Sequence, residues 1–444
     1  MSAEPGAPVV NVEPAGPVAR AAGTLLGRPI AFWREVTAHE LGLPAGTVVG
    51  AGHQAEWWHP GILAKFAWAA ELAARSGAGL AWLMVDTDVR DPLAMRVPLA
   101  EGGALRAAEH RFGPRVPAGT PPCMRSAAVP EACSPVRGTL ALPCVVEGAA
   151  RAFGALLAAV DATDAATQAW EANRACSHGV MQDAPTARTS RLLATTLGAA
   201  LVHEALRDPA ACARAFNEGA ALVPRVARPL RLDGPAGPEL PFWAPAADGT
   251  RMRLDAAGLR AARDAGTPIW PRAFLTGAIA RAALCDRFVH GTGGRMYEAA
   301  TERFMRAWIG ADLPAFDTAT ATLRLPFPAV DGAPPVTAAE RRRRWFDPHS
   351  GDGLPSREKR EALARIAALP RASAERRTAW RAMHAQLAAA RQARACDFAE
   401  LEAAATADRA RARDAAVRMD RTWAVALHPA EGVRRLAGAL RSLR

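Results

Sequence analysis

Thr47–Asp88 reads TVVGAGHQAEWWHPGILAKFAWAAELAARSGAGLAWLMVDTD. Thr47-Val48-Val49 is a short apolar strand, and Gly50 to Trp58 follows as a loop. Pro60 opens a helix at the first-turn position, where its missing N–H costs nothing. From Pro60 to Arg75 the apolar residues Ile62, Leu63, Phe66, Ala69, Ala70 and Leu72 recur at helical spacing. Gly77 is placed to end that helix. Leu80 to Val85 is an unbroken apolar run, as expected of a strand buried on both faces. Strand, helix and strand in this order form a βαβ unit, which requires a parallel sheet.

The same pattern extends outward. Ala149 to Arg225 is Ala-rich and helical, a connecting region on or inserted into the sheet domain. Pro224 to Pro245 is loop and turn, with the apolar Glu239–Trp243 docked. Pro271 to Asp286 predicts a helix, Phe288-Val289 a short strand, and Met296 to Trp308 a helix after a glycine loop. Ala319 to Leu325 alternates as a strand does. From Thr337 the character changes. Ser356 and Ser373 are placed as N-caps of two helices separated by Pro370. Ser373 to His428 contains neither Gly nor Pro. At ~1.5 Å per residue it predicts a helix of about 80 Å. The expected architecture is α/β: a Rossmann-like parallel-sheet core over 1–335, with the helical connecting region at about 149–225, and an α-helical coiled-coil-like segment over 336–444.

Composition narrows the class. The chain has 444 residues, 50% apolar and 22% charged, enough to bury a large core. Disorder is expected only in the Pro- and Ala-rich first dozen residues. The net charge of +11 comes almost wholly from arginine, because Lys65 and Lys359 are the only lysines. Abundant Ala, Gly, Pro and Arg beside scarce Lys, Asn and Tyr is the mark of a GC-rich genome. The basic excess, including Arg341 to Arg344, therefore reads as solvated helix and not as a polyanion site, and nucleic acid is not the expected partner. Where this bias removes Lys, Asn and Tyr, the survivors mark positions that need them: Tyr297 is the only tyrosine, and asparagine stands only at 11, 173 and 217.

The cysteines Cys123, Cys133, Cys144, Cys176, Cys212, Cys285 and Cys396 include no CxxC pair. With no secretory leader expected, reduced thiols and a cytoplasmic location follow. No apolar run is long enough to cross a membrane.

Ligands of a parallel α/β sheet bind beyond the carboxyl ends of its strands. Those ends carry Gly52-His53-Gln54 and Asp86-Thr87-Asp88. His53 is suited to acid–base work or charge stabilisation near neutral pH, and Gln54 to orienting a carbonyl or hydroxyl. His59 precedes the helix that Pro60 opens, and Lys65 lies along it as a long donor beside an anion-attracting helix start. Asp86 and Asp88, two apart, point the same way if the segment is extended; they are candidates for Mg²⁺, an amine or a ribose hydroxyl. A second candidate is His290-Gly291-Thr292-Gly293-Gly294-Arg295-Met296-Tyr297. Its glycines allow positive φ and close backbone approach, and the helix after it offers oriented N–H groups. It is neither a P-loop nor a complete G-x-G-x-x-G. There is no zinc-ligand spacing and no G-x-S-x-G elbow. The catalytic candidates are His53, Gln54, Asp86, Asp88 and His290. The binding candidates are Gly52, His59, Lys65, Gly291, Gly293, Gly294 and Tyr297.

Taken together these blocks resemble the bacillithiol-biosynthesis cysteine-adding enzyme family. Gly52-His53-Gln54 with Lys65 is similar to that family's G-Q-Q block and downstream helical lysine. Asp86-Thr87-Asp88 is similar to its acidic E-D-H-D block, and Gly291 to Gly294 with Tyr297 to its glycine-rich segment leading into a helix with a tyrosine. Arg421-Thr422-Trp423 and Leu427-His428-Pro429 lie where the family has its trailing coiled coil. The resemblance implies a Rossmann-like core, a coiled-coil dimer stalk, a nucleotide-binding cleft and amide formation between cysteine and an amino sugar. His53 stands where the family has glutamine, the acidic block lacks the family's histidine, and His290 has no counterpart. The architecture is therefore carried over and the substrate is not. Gly52 to Lys65 also resembles, more closely, a bacterial group of unassigned activity with the pattern G-H-Q-x-E-x-x-H-P-G.

Two functions stay open. One is an ATP- or ADP-binding ligase or transferase, with Mg²⁺, acting on a small amine, amino acid or amino sugar and dimerising through the C-terminal helices. The other is a non-catalytic small-molecule binder or scaffold that keeps the cleft.

Overall fold

The computed structural model describes residues 7–131, 139–328, 343–348 and 356–443. Cys133, Thr337, Arg341, Arg342 and the expected domain boundary at 335/336 lie outside the described residues. The chain forms two compact units: residues 1–101, 107–326 and 420–444 make the first, residues 102–106 and 327–419 the second.

Six strands build the central sheet of the first unit: β1 (Val9–Glu13), β2 (Val48–Gln54), β3 (Gly79–Val85), β4 (Thr186–Arg188), β8 (Arg287–His290) and β9 (Phe316–Thr322). The intervening β5 (Glu239–Pro245), β6 (Arg251–Asp255) and β7 (Trp270–Pro271) form a separate three-stranded antiparallel sheet. The central order is β1-β9-β8-β2-β3-β4, parallel throughout except for β1 at the edge. The chain thus builds outward from β2 through β3 to β4, then returns to the other side of β2 with β8 and β9. The gap where the order reverses, between β2 and β8, is the topological switch point.

The βαβ reading holds. Helix α2 (Pro60–Ser76) joins β2 to β3, starts at Pro60 and ends at Gly77, whose φ of 64° is the left-handed conformation. Successive residues of β2 and β3 face opposite sides of the sheet, as strand geometry dictates. Val49, Ala51, Trp82 and Met84 pack with Leu63, Phe66 and Ala69 of α2 and with Trp170 of α4 (Ala165–Cys176). Val48, Ala81 and Leu83 pack on the other face with Ile30 and Trp33 of α1 (Ile30–Leu41) and with Phe274 and Leu275 of α8 (Ala273–Ile279). Both faces are buried, which is why β3 is apolar without alternation.

Four expectations are corrected. β2 continues to Gln54, so Gly52-His53-Gln54 end a strand and are not a loop. Within the first dozen residues, expected to be disordered, Val9–Glu13 is an edge strand paired from Val9↔Thr322 to Glu13↔Thr318. The helical connecting region contains β4, which extends the sheet beyond β3. Glu239–Trp243 docks as expected, but as a strand: Phe242 and Leu240 are fully buried and Trp243 pairs with Arg253 and Trp270.

In the second unit, α10 (Arg357–Ala368) and α11 (Ala374–Ala393) begin at Ser356 and Ser373 as expected. Each serine Oγ accepts an N–H three residues on, at 3.3 and 3.1 Å. Ala362, Ile366, Met383 and Leu387 form their common core. The single long helix from Ser373 is not formed. The chain breaks at Arg394, resumes as α12 (Ala395–Met419) and stops at Asp420. There the Asp420 carboxylate accepts the backbone N–H and hydroxyl of Thr422, at 2.8 and 2.6 Å, a local turn that competes with helix. Residues 420–444, expected with the helical segment, belong to the first unit. Their α13 (Ala430–Arg441) packs against α2. No helix among the described residues is long and apolar enough to cross a membrane.

Candidate functional site

A cleft of about 1230 Å³ opens at the switch point. Gly52, His53 and Gln54 from the end of β2, Asp88 beyond β3, His59 and Lys65 from the start of α2, and His290, Gly291, Gly293, Gly294 and Tyr297 all line it. The two segments, more than two hundred residues apart in sequence, therefore share one hollow. β8 lies next to β2, with Val289 paired to Ala51, so His53 and His290 emerge from neighbouring strand ends.

Lys65 lies against His53 and beside Gly291, the residue after His290. Its Nζ donates to the carbonyl oxygen of Gly52 at 2.6 Å and lies 3.2 Å from Nδ1 of His53. Lys65 is only 5% exposed, and burial depresses its amine from the usual 10.5 to about 7. His53 and His290 are both held well below the usual imidazole range, first by burial and then by the nearby Lys65 charge. Each points Nε2 at a glutamate: His53 at Glu56 Oε1, 3.3 Å away, and His290 at Glu298 Oε1, 3.1 Å away. Neither contact has hydrogen-bond geometry, and both Nε2 atoms are buried without a hydrogen-bond partner among the described residues. Burial raises the carboxyl groups of Glu56 and Glu298. Glu298 is further fixed by an ion pair with the buried Arg281.

The glycine segment works differently from its sequence reading. Helix α9 (Thr292–Ile309) starts at Thr292, with Gly291 as its N-cap, so Gly293 and Gly294 lie in the first turn and none of the three has positive φ. Their small size matters instead. A Cβ on Gly294 would stand 2.7 Å from Nδ1 of His290, and one on Gly291 3.3 Å from Cδ of Lys65. Gly291 to Gly294 line the cleft and no side chain caps the α9 start, a favourable environment for an anion. His59 caps α2, its Nδ1 accepting the Gly61 N–H at 3.1 Å, and burial lowers its imidazole to about 4.

The acidic pair is split. β3 ends at Val85, so extended-strand parity does not reach Asp88. Asp86 is fully buried and does not line the cleft. Its carboxylate pairs with Arg188 at 2.8 Å and accepts from the Thr189 hydroxyl at 2.7 Å and from Ser190. It fastens β3 to β4 and the turn after it. Asp88 reaches the cleft and contacts Arg251 at 3.4 Å. Asp86, turned to Arg188, and Asp88, in the cleft, therefore do not face one site together.

Several lining residues were not anticipated. Trp243 is surrounded by the guanidinium groups of Arg251, Arg272 and Arg253, at 4.5, 5.1 and 5.9 Å from its ring centroid. Arg272 pairs with the buried Glu239 at 2.7 Å, and Arg253 lies 3.8 Å from the same carboxylate. In a chain saturated with arginine, no local signal separates these from solvated ones. Asparagine scarcity did carry information. Asn173 Nδ2 donates to the Glu56 carbonyl and its Oδ1 accepts the Trp58 N–H, both at 2.9 Å, which pins the loop that carries Glu56.

The site therefore combines a desolvated amine, two neutral imidazoles, a helix start and an arginine-rich wall. That set can hold an anionic group and move protons next to it. No protein-family model matches the chain, and comparison with curated proteins gives no match to it.

Proposed function

We propose that the protein is an enzyme of small-molecule group transfer: a nucleotide-linked ligase or transferase acting on a small amine, amino acid or amino sugar. The observation that carries this reading is the placement of Lys65 at the switch point, with its Nζ on Gly52 and His53 and its Cδ beside Gly291 at the start of α9. Fixed donors at such a position stabilise phosphate or carboxylate charge, the dominant requirement of phosphoryl and acyl transfer. His53 and His290, being neutral, accept a proton from an attacking amine. The sheet order fits a Rossmann-like core, and the order of blocks along the chain fits the cysteine-adding enzyme family, with Asp88 alone of the acidic pair in the cleft. In this reading ATP or ADP occupies the α9 side and helices α10 to α12 mediate a homodimer in the cytoplasm.

Thermal shift against ATP, ADP, cysteine and amino sugars, followed by isothermal titration and a turnover assay, tests it. Stabilisation that disappears in Lys65→Ala and His53→Ala, together with product formation, supports the enzyme. A second reading is a small-molecule binder without turnover. It is favoured by the burial of Asp86 against Arg188, which leaves Asp88 as the member of the acidic pair that lines the cleft. Stabilisation by amines or acids with no product supports that alternative.

A further inference from the structure

The cleft contains a lysine that is buried at 5% exposure, Lys65. Its two polar neighbours are the Gly52 carbonyl oxygen and the His53 Nδ1. With the His53 proton on Nε2, on the side of the Glu56 carboxylate 3.3 Å away, Nδ1 is an acceptor for Lys65. A neutral amine has two N–H groups. Gly52 and His53 take both, and the nitrogen lone pair is left unengaged. On another wall of the same cleft, Arg251, Arg253 and Arg272 gather around Trp243, with Glu239 and Asp88 as their carboxylate partners. With Arg231 also 3.6 Å from Glu239, four arginines share these two carboxylates, so this wall has capacity for further negative charge.

We propose that Lys65 is a covalent attachment site for carbonyl compounds, condensing with an aldehyde or ketone whose phosphate or carboxylate rests on the Arg251–Arg253–Arg272 wall. The nitrogen lone pair attacks the carbonyl carbon, and the carbon–oxygen π pair moves onto oxygen. His53 Nδ1 takes a proton from nitrogen and returns it to that oxygen, giving a neutral carbinolamine. Loss of the second nitrogen proton and of the hydroxyl group as water leaves an imine. The two amine hydrogens depart with the carbonyl oxygen, and nothing is oxidised or reduced. Such chemistry needs an unprotonated lysine, and the burial that lowers the Lys65 amine to about 7 supplies one near neutrality. This goes beyond the ligase reading and does not depend on a nucleotide.

The chain provides its own control, because Lys359 is the only other lysine and its amine donates to the Phe346 carbonyl at 2.8 Å on an exposed helix. The full-length protein is incubated at pH 7.5 with pyridoxal 5′-phosphate, pyruvate or acetaldehyde, reduced with borohydride, digested and mapped by mass spectrometry. The expected result is a reduced adduct at Lys65 exceeding that at Lys359 about tenfold or more. Arg251→Ala and Arg272→Ala lower labelling by the phosphate and carboxylate probes several-fold and leave acetaldehyde labelling unchanged. Lys65→Arg abolishes the adduct; should that variant fail to fold, the Lys65-to-Lys359 ratio in the unaltered chain decides alone. Equal or greater labelling at Lys359 or at the amino terminus, or no adduct at all, overturns the proposal. Nucleotide-induced thermal shift reads the ligase hypothesis separately.

Discussion

Arg281 and Glu298 form an ion pair in which both side chains are almost completely buried, at 1% and 3% exposure, directly behind the His290 imidazole. Arg281 also reaches Glu302 at 2.8 Å and the Pro314 carbonyl. The network sets a buried charge pair beside the last residue of β8, so the surroundings of His290 depend on Arg281 and Glu298.

Glu298→Ala leaves Arg281 buried with only one carboxylate partner. Breaking such a pair from one side costs about 3–5 kcal/mol. Urea unfolding of the variant measures it. Glu298→Gln, which keeps the shape and a hydrogen-bond acceptor, is expected to lose less.

Asp86→Ala is expected to destabilise by a similar amount, about 3–5 kcal/mol, because Arg188 then loses a fully buried partner. Since Asp86 does not line the cleft, the affinity for any ligand found by titration stays within a factor of about two once the variant is held below its unfolding transition. A selective loss of binding with unchanged stability contradicts the structural role assigned to it.

Stability falls on acidification. The imidazoles of His59 and His428 are both lowered to about 4 by burial, so between the usual 6.5 and that value the unfolded chain binds protons that the native chain does not. By linkage, each contributes stability that is intact above about pH 6.5 and is lost as pH drops toward 4. Melting temperatures recorded from pH 7.5 to 4 check this. His59→Asn, which keeps a capping side chain, is expected to flatten part of the slope.

Lys65 acts in the same sense in a higher pH window. Its amine is depressed, so between pH 7 and 10.5 the unfolded state holds the extra proton and native stability rises with pH. Lys65→Met removes a charge that is costly to bury at low pH. The variant is expected to be more stable than the parent at pH 6 and to lose that advantage as pH approaches 10.5, as read by urea midpoints.

Asn173→Ala cuts the hydrogen bonds to Glu56 and Trp58 and strands buried backbone groups, at a cost of about 1–3 kcal/mol. Hydrogen exchange localised to residues 55–59 is the discriminating measurement: faster exchange there, with α2 unchanged, identifies a pinned loop.

Much of the core was readable because its signals are local. Pro60 and Gly77 bracket α2, the apolar run of β3 announces burial on both faces, and Ser356 and Ser373 cap helices where their hydroxyls permit. Placement of His53 and His290 at adjacent strand ends follows only once β8 is known to return beside β2, and that is set by contacts across more than two hundred residues. β1 was missed for the same reason: a short strand beside Pro and Ala acquires its identity from Thr318–Thr322, not from itself. Asp86 and Asp88 illustrate another limit. Parity of side chains holds only while a strand lasts, and β3 stops at Val85, three residues short of Asp88. The arginines around Trp243 were hidden by composition, since a residue type used everywhere gives no contrast.

The segmentation of the first unit has a consequence for biosynthesis. The face of α2 that receives α13 stays bare until translation has passed residue 441, although α2 itself emerges early. All six strands of the central sheet, the last ending at Thr322, are synthesised before helices α10 to α12, and α13 emerges only after those helices. An apolar surface left waiting over that interval is a target for holding chaperones, and premature termination after residue 419 yields a chain with its sheet formed but one side unroofed.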